Sequence, residues 1–264
     1  MPSSAEASSI YVAYWIYRTD RSFATVDEPV RTEAKARFAR AFGEHDASIT
    51  VRGVYSLVGL RANADLMVWL YGPDLDEIQR FAVGLRHTAM GQYLETVETY
   101  IGVVTPARYD PGHQPSFMMG ARPKQFVSVY PFVKTTDWYQ LPYEQRRELM
   151  AEHGTVGRKY AVAREKILAE AGALPQGSNG YGAPANSQAN AEAETSGGGV
   201  LANTVDSFGL GDYEFILANE SDDPSEICRM MESLRAVQVR KFTQLDTPIY
   251  LGRLRTPEEA VADL

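Results

Sequence analysis

Two hydrophobic periods alternate along this chain. Short runs rich in aromatic and β-branched residues predict buried strands: IYVAYWIY (10–17), ITVRGVYSLVGL (49–60), DLMVWLYG (65–72) and ETYIGVV (98–104). The middle two bracket the turn RANA and read as a hairpin. Between these runs, DEPVRTEAKARFARAFG (27–43) and LDEIQRFAVGLRHTAMGQYL (75–94) space apolar residues by three and four, which predicts amphipathic helices. Gly43 is placed to cap the first.

The second half repeats the plan. NTVDSFGLGDYEFILAN (203–219) reads as a hairpin, PSEICRMMESLRAVQVRKFT (224–243) as a helix and PIYLGRL (248–254) as a closing strand. Asp65 and Asp212 each lead a strand, and Leu85–Arg86 follows Ile78 at the spacing by which Leu234–Arg235 follows Ile227. A β-rich unit with two helices, written twice, predicts an α+β protein of tandem duplicated ferredoxin-like domains, residues 1–110 and 111–264, which close into a dimeric α/β barrel. Residues 172–199 are almost all small or polar and read as a loop, either a tolerated surface insertion or a lid over a pocket mouth.

Bulk properties narrow the function. The 264 residues, 44% hydrophobic and 23% charged, are those of a globular protein with a sizeable core. A net charge of −8 argues against a nucleic-acid surface or an anionic membrane partner. No apolar run reaches membrane-spanning length, and MPSSAEASS lacks the features of a signal peptide, so a cytoplasmic setting is expected. The single Cys228 excludes an internal disulfide and a cysteine-built metal site, and its helical context predicts a buried, inert thiol.

The chemistry concentrates in YPFVKTTDWYQLPYEQRRELMAEHGTVGRKY (130–160). Tyr130 stands at the end of the alternating strand QFVSVY, with Pro131 suited to a strand end, and His153 at the end of a polar helix just before Gly154. Taken singly, Tyr130 and Trp138 read as packing residues, Lys134 as a solvated loop cation and His153 as a helix-end histidine favoured by the dipole. Taken together they are an oxidisable phenol and indole, a cation and an imidazole that could ligate iron. His113 lies in a loop flanked by Pro and Gly; His45 and His87 read as surface residues.

These strings, with GLRANADLMVWLYG (59–72), HQPSFMMG (113–120) and ANTVDSFGLGDYEFILA (202–218), resemble the chlorite dismutase superfamily, and within it the actinobacterial-type coproheme decarboxylases of haem synthesis. The resemblance spans about residues 10–254. It implies a homopentamer that binds iron coproporphyrin III as substrate and redox centre, consumes hydrogen peroxide, and receives coproheme from a ferrochelatase. It further implies His153 as the proximal iron ligand, Tyr130 as the residue oxidised to a radical, His113 as the distal base and Trp138 at the cofactor edge. Lys134 and Arg235 would grip propionates, with Arg240 and Lys241 as weaker candidates. Ala202 falls where chlorite dismutases carry an arginine, which disfavours chlorite chemistry. Gln238 falls where a glutamate is expected beside the proximal imidazole. A chlorite dismutase or haem peroxidase on the same fold, or a non-enzymatic haem carrier, are the alternatives.

Overall fold

The computed structural model describes residues 9–106, 108–109, 114–172 and 198–264. His113 and most of the small-residue segment 172–199 lie outside the described residues. The first half runs β1 (Tyr11–Thr19), α1 (Glu28–Ala41), β2 (Thr50–Ser56), β3 (Leu66–Gly72), α2 (Leu75–His87) and β4 (Leu94–Val103). The second runs β5 (Phe126–Lys134), α3 (Thr136–Gln140), α4 (Tyr143–Arg158), α5 (Arg164–Gly172), β6 (Leu201–Asp206), β7 (Phe215–Ser221), α6 (Pro224–Arg235), β8 (Thr243–Leu245), β9 (Tyr250–Arg255) and α7 (Pro257–Ala262).

The sheet order is β7-β6-β4-β1-β3-β2-β9-β5-β8, and β5 also pairs with β7. That last pairing closes eight strands into a ring, with β8 as a short addition to β5. Within each half the order is that of a ferredoxin-like unit, β4-β1-β3-β2 and β9-β5-β7-β6. The halves join edge to edge, β2 on β9 and β4 on β6. Closure leaves neither sheet with a long exposed edge.

Alternation along each strand sorts the side chains. Val12, Tyr14 and Ile16 enter a core shared with Tyr55, Trp69, Val127, Val129, Ile216 and Ala218 inside the ring. Ala13 and Trp15 face outward and pack with Phe38, Ile78, Phe81 and Leu85 under α1 and α2. Among the described residues one charge pair lies in the interior: Arg52 Nη2 donates to Glu220 Oε1 at 2.7 Å, with both side chains at most 4% exposed. Glu220 also accepts from Asn203 Nδ2 and the Lys124 backbone N–H, so its lone pairs are well occupied.

Several boundaries differ from those the sequence predicts. Helix α2 stops at His87, because the Thr88 hydroxyl donates to the Leu85 carbonyl and accepts from Gly91 N–H, which turns the chain into a short 3-10 segment, Gly91–Tyr93. Its counterpart α6 stops at Arg235, and residues 238–242 form a separate 3-10 turn. Strand β5 continues through Pro131 to Lys134. Pro131 falls between the last pair with β9, at Val129, and the first with β8, at Val133, where that side of the strand has no partner. Helix α4 runs past Gly154 to Arg158, so His153 is inside the helix and not at its dipole end. Cys228 is exposed, on the solvent side of α6 between the buried Ile227 and Met230.

Candidate active site

The outward face of β5 and β7 meets α4, α6 and the 238–242 turn. Tyr130 points outward, opposite to its neighbour Val129, and is 4% exposed. Its hydroxyl accepts from Asn219 Nδ2 and donates to Met231 Sδ, each at 3.4 Å. Asn219 comes from β7 and Met231 from α6, so the phenol is held between sheet and helix. Burial pushes its pKa up to about 12, against the opposing pull of the Asn219 hydrogen bond. The group therefore keeps its O–H at neutral pH.

Lys134 ends the same strand. Its ammonium lies 4.4 Å from the Trp138 ring centroid and 5.0 Å from that of Phe132. Trp138 itself is buried with Val237 and Val239, so it forms the floor on which Lys134 rests. Burial brings the Lys134 pKa down to about 8, with Glu214 pulling it up and Arg240 pressing it further down. No carboxylate among the described residues pairs with its Nζ.

His153 projects from α4 into the same region and is half-buried. Its pKa falls to about 4, first from burial, then from the Lys134 charge, with Glu152 opposing. It makes no hydrogen bond among the described residues. A neutral imidazole without a partner, on a helix, is the state an iron ligand requires. No hydrogen bond joins Gln238 to the imidazole among the described residues; Gln238 Oε1 accepts from Lys241 Nζ at 2.7 Å. The Gln238 backbone N–H donates instead to Glu152 Oε2 at 3.1 Å. Glu152, adjacent to His153 in sequence, is thus the carboxylate that docks the 238–242 turn on α4.

Arg235 and Arg240 converge on one carboxylate, Asp246, at 2.5 and 3.3 Å. Both guanidinium charges and Asp246 act on Tyr130, and Arg240 acts on Lys134. Two guanidinium groups therefore share one carboxylate, while the Lys134 ammonium feels Glu214 and His153 feels Glu152. Ala202 pairs with Asn219 across β6 and β7 and so shares the outward face with it. The segment after His113 docks on the opposite, interior side of β6, with Phe117 in the core inside the ring. Ser116 Oγ donates to the Ala202 carbonyl, Phe117 N–H donates to Asn203 Oδ1, and Arg52 Nη1 donates to the Ala121 carbonyl.

The structure thus brings together Tyr130, Lys134, Trp138, His153, Arg235 and Arg240, with Ala202 on the same face. Asn219, Met231, Asp246 and Glu152 contact these residues and were missed by sequence reasoning. Asn219 and Met231 had a legible signal, since each sits at the outward or inward phase of its own element. Asp246 had none, because its partners are brought to it by tertiary packing.

A ring closed by two ferredoxin-like halves, with an imidazole and a phenol under one pair of helices, defines a class of α+β barrel proteins. The Chlorite dismutase family model matches residues 31–174 and 191–255, and the chain belongs to that family. A coproheme decarboxylase of Mycolicibacterium smegmatis is 32% identical over 222 residues, covering 84% of this chain and 80% of the relative. A double variant of the chlorite dismutase from Candidatus Nitrospira defluvii superimposes with a TM-score of 0.74 at 20% identity, covering 96% of this chain and 94% of that one. The same organism's chlorite dismutase in complex with imidazole gives 0.72 at 20% identity, with 96% and 94% covered. At that identity the two structures speak for the fold alone.

Proposed function

We propose that this protein is a coproheme decarboxylase, which converts two propionates of iron coproporphyrin III to vinyl groups at the expense of hydrogen peroxide. The observation that carries the reading is the placement of Tyr130, a buried phenol kept in its O–H form, on one outward face of the barrel with a neutral imidazole and the cations Lys134, Arg235 and Arg240. The similarity to the mycobacterial decarboxylase supports the substrate.

Each residue has a task in this reading. Lys134, Arg235 and Arg240 hold substrate carboxylates, the arginines by exchanging part of their interaction with Asp246. His153 ligates the substrate iron through its free imidazole nitrogen. The bound iron porphyrin supplies the oxidising chemistry with peroxide. Tyr130 relays one oxidising equivalent: it loses its phenolic hydrogen, and the resulting phenoxyl oxygen takes a hydrogen atom from the propionate β-carbon. Loss of a second electron breaks the bond to the carboxylate, releases CO2 and leaves the vinyl group. Per propionate, one carboxylate, one peroxide and one proton give one vinyl, one CO2 and two waters. Met231 must leave the Tyr130 hydroxyl for the substrate to approach, a movement suited to an unbranched thioether.

Ala202 offers neither charge nor hydrogen bond to an anion such as chlorite, which favours decarboxylation over chlorite chemistry on this fold. The test is Tyr130→Phe. The variant is expected to bind coproheme with near-wild-type affinity and to yield no haem b on peroxide addition. Wild-type yields of haem b from Tyr130→Phe would refute the assignment of the phenol.

A further inference from the structure

The duplication places a second cavity where the first half repeats the geometry of the active site. Trp15 pairs with Val68 as Tyr130 pairs with Leu217. Counting from these residues, Phe38 on α1 stands where His153 stands on α4, and Phe23 where Trp138 stands. The caps of the following helices match too: Asp74 accepts from the N–H two residues on, and so does Asp223. Counted from those caps, Ala82 replaces Met231, and Arg86 keeps the place of Arg235. Between α2 and the outer face of β1 and β4 lies a cavity of about 490 Å³, lined by Trp15, Tyr17, Phe38, Ala82, Leu85 and Arg86, among others. That volume lies within the range of small-molecule sites.

The lining says what this cavity cannot hold and what it can. With Phe38 in place of the imidazole, it offers no ligand for iron. With Ala82 in place of Met231, it has room beside Trp15. Its walls are mainly apolar. At one end stands a single cation, the exposed Arg86, with no ion pair or hydrogen bond among the described residues; at the other, in the first turn of α2, stands Asp76. Arg86 sits in the last turn of α2, where the helix's own negative partial charge opposes any anion, and a doubly charged head group about twice as strongly as a singly charged one. The half-buried Tyr17 lies near enough to feel the Arg86 charge, and burial keeps its hydroxyl protonated, a second donor at that end.

We infer that this cavity is a binding site for an amphiphilic monocarboxylate, its chain against Trp15 and Phe38 and its head group at Arg86 and Tyr17. The site is independent of the reading of the second-half pocket.

Calorimetric titration of the full chain with octanoate, decanoate and laurate tests it, with lauryl alcohol and lauryl phosphate as comparison ligands. Saturable binding of one laurate per chain is expected, tightening roughly fourfold for each added methylene. Arg86→Ala should weaken laurate roughly two- to fivefold and leave lauryl alcohol unchanged. Ala82→Trp, which fills the cavity, should abolish laurate binding while coproheme binding persists. Arg86→Ala sits at an exposed helix end and keeps the test available if the larger side chain disturbs packing. Four results would overturn the inference: no saturable binding; tighter binding of lauryl phosphate; laurate binding unaffected by Ala82→Trp but lost in Arg235→Ala; or a change of oligomeric mass in Ala82→Trp, which would assign the cavity to a contact between copies of the chain.

Discussion

Replacing Lys134 with methionine separates the electrostatic part of the site from its packing. Methionine keeps the apolar stem against Trp138 and Phe132 and removes the charge. In the wild type, burial sets the Lys134 pKa at about 8. At pH 7 roughly nine-tenths of the side chain is charged, and at pH 9 roughly one-tenth. A substrate carboxylate beside it favours the charged form and raises its pKa, so binding takes up a proton above about pH 8. A hydrogen bond to a charged group contributes about 1.5–3 kcal/mol, or roughly 10- to 150-fold in affinity. Lys134→Met should therefore bind coproheme roughly 10- to 150-fold more weakly at about pH 7. Wild-type affinity should be flat below about pH 8 and then decline toward that of the variant. The assay is a coproheme titration followed by porphyrin absorbance at a series of pH values. Parallel wild-type and variant curves across the range would refute the role given to Lys134.

Other expectations follow from the same geometry. Because burial and Lys134 hold the His153 pKa at about 4, coordination of the iron by the imidazole should survive acidification past the ordinary histidine range and fail only at or below about pH 4. An absorbance titration of the loaded protein that breaks near about pH 6.5 instead would contradict this. His153→Ala should lose the axial signature and regain it with added imidazole. Glu220→Ala leaves Arg52 charged in the barrel interior and should cost about 3–5 kcal/mol, while the double variant Arg52→Met, Glu220→Leu, which replaces the pair with apolar side chains of similar volume, should restore most of it. Thermal unfolding reads that difference as a fall of roughly 6–20 °C for the single variant, and equal losses in single and double variants would show that the pair is not the cause.

The duplicated architecture was legible because strands and helices announce themselves by period, and the same order of periods occurs twice. The ring closure was less so: it depends on joining β2 to β9 and β4 to β6, edges far apart in sequence. Tyr130, Lys134 and Trp138 were legible as a cluster because one strand and the short helix after it present them together. His153 was legible as a residue but not as a helix interior, since Gly154 reads as a stop and α4 packing overrides that local preference. Gln238 shows the converse. Its position in the string suggested a partner for the imidazole; the structure places it in a separate turn after α6, where its side chain bonds Lys241 and its backbone bonds Glu152. Cys228 was misread for want of phase: one step beyond the buried Ile227, the helix has already turned it to solvent.

The central claim is most directly tested by adding hydrogen peroxide stepwise to the purified protein loaded with ferric coproheme and following porphyrin masses by chromatography. Loss of two carboxyl groups in sequence, through a three-propionate intermediate to haem b, is the predicted result. Bleaching of the porphyrin without that intermediate would contradict it and return Tyr130 to a packing role.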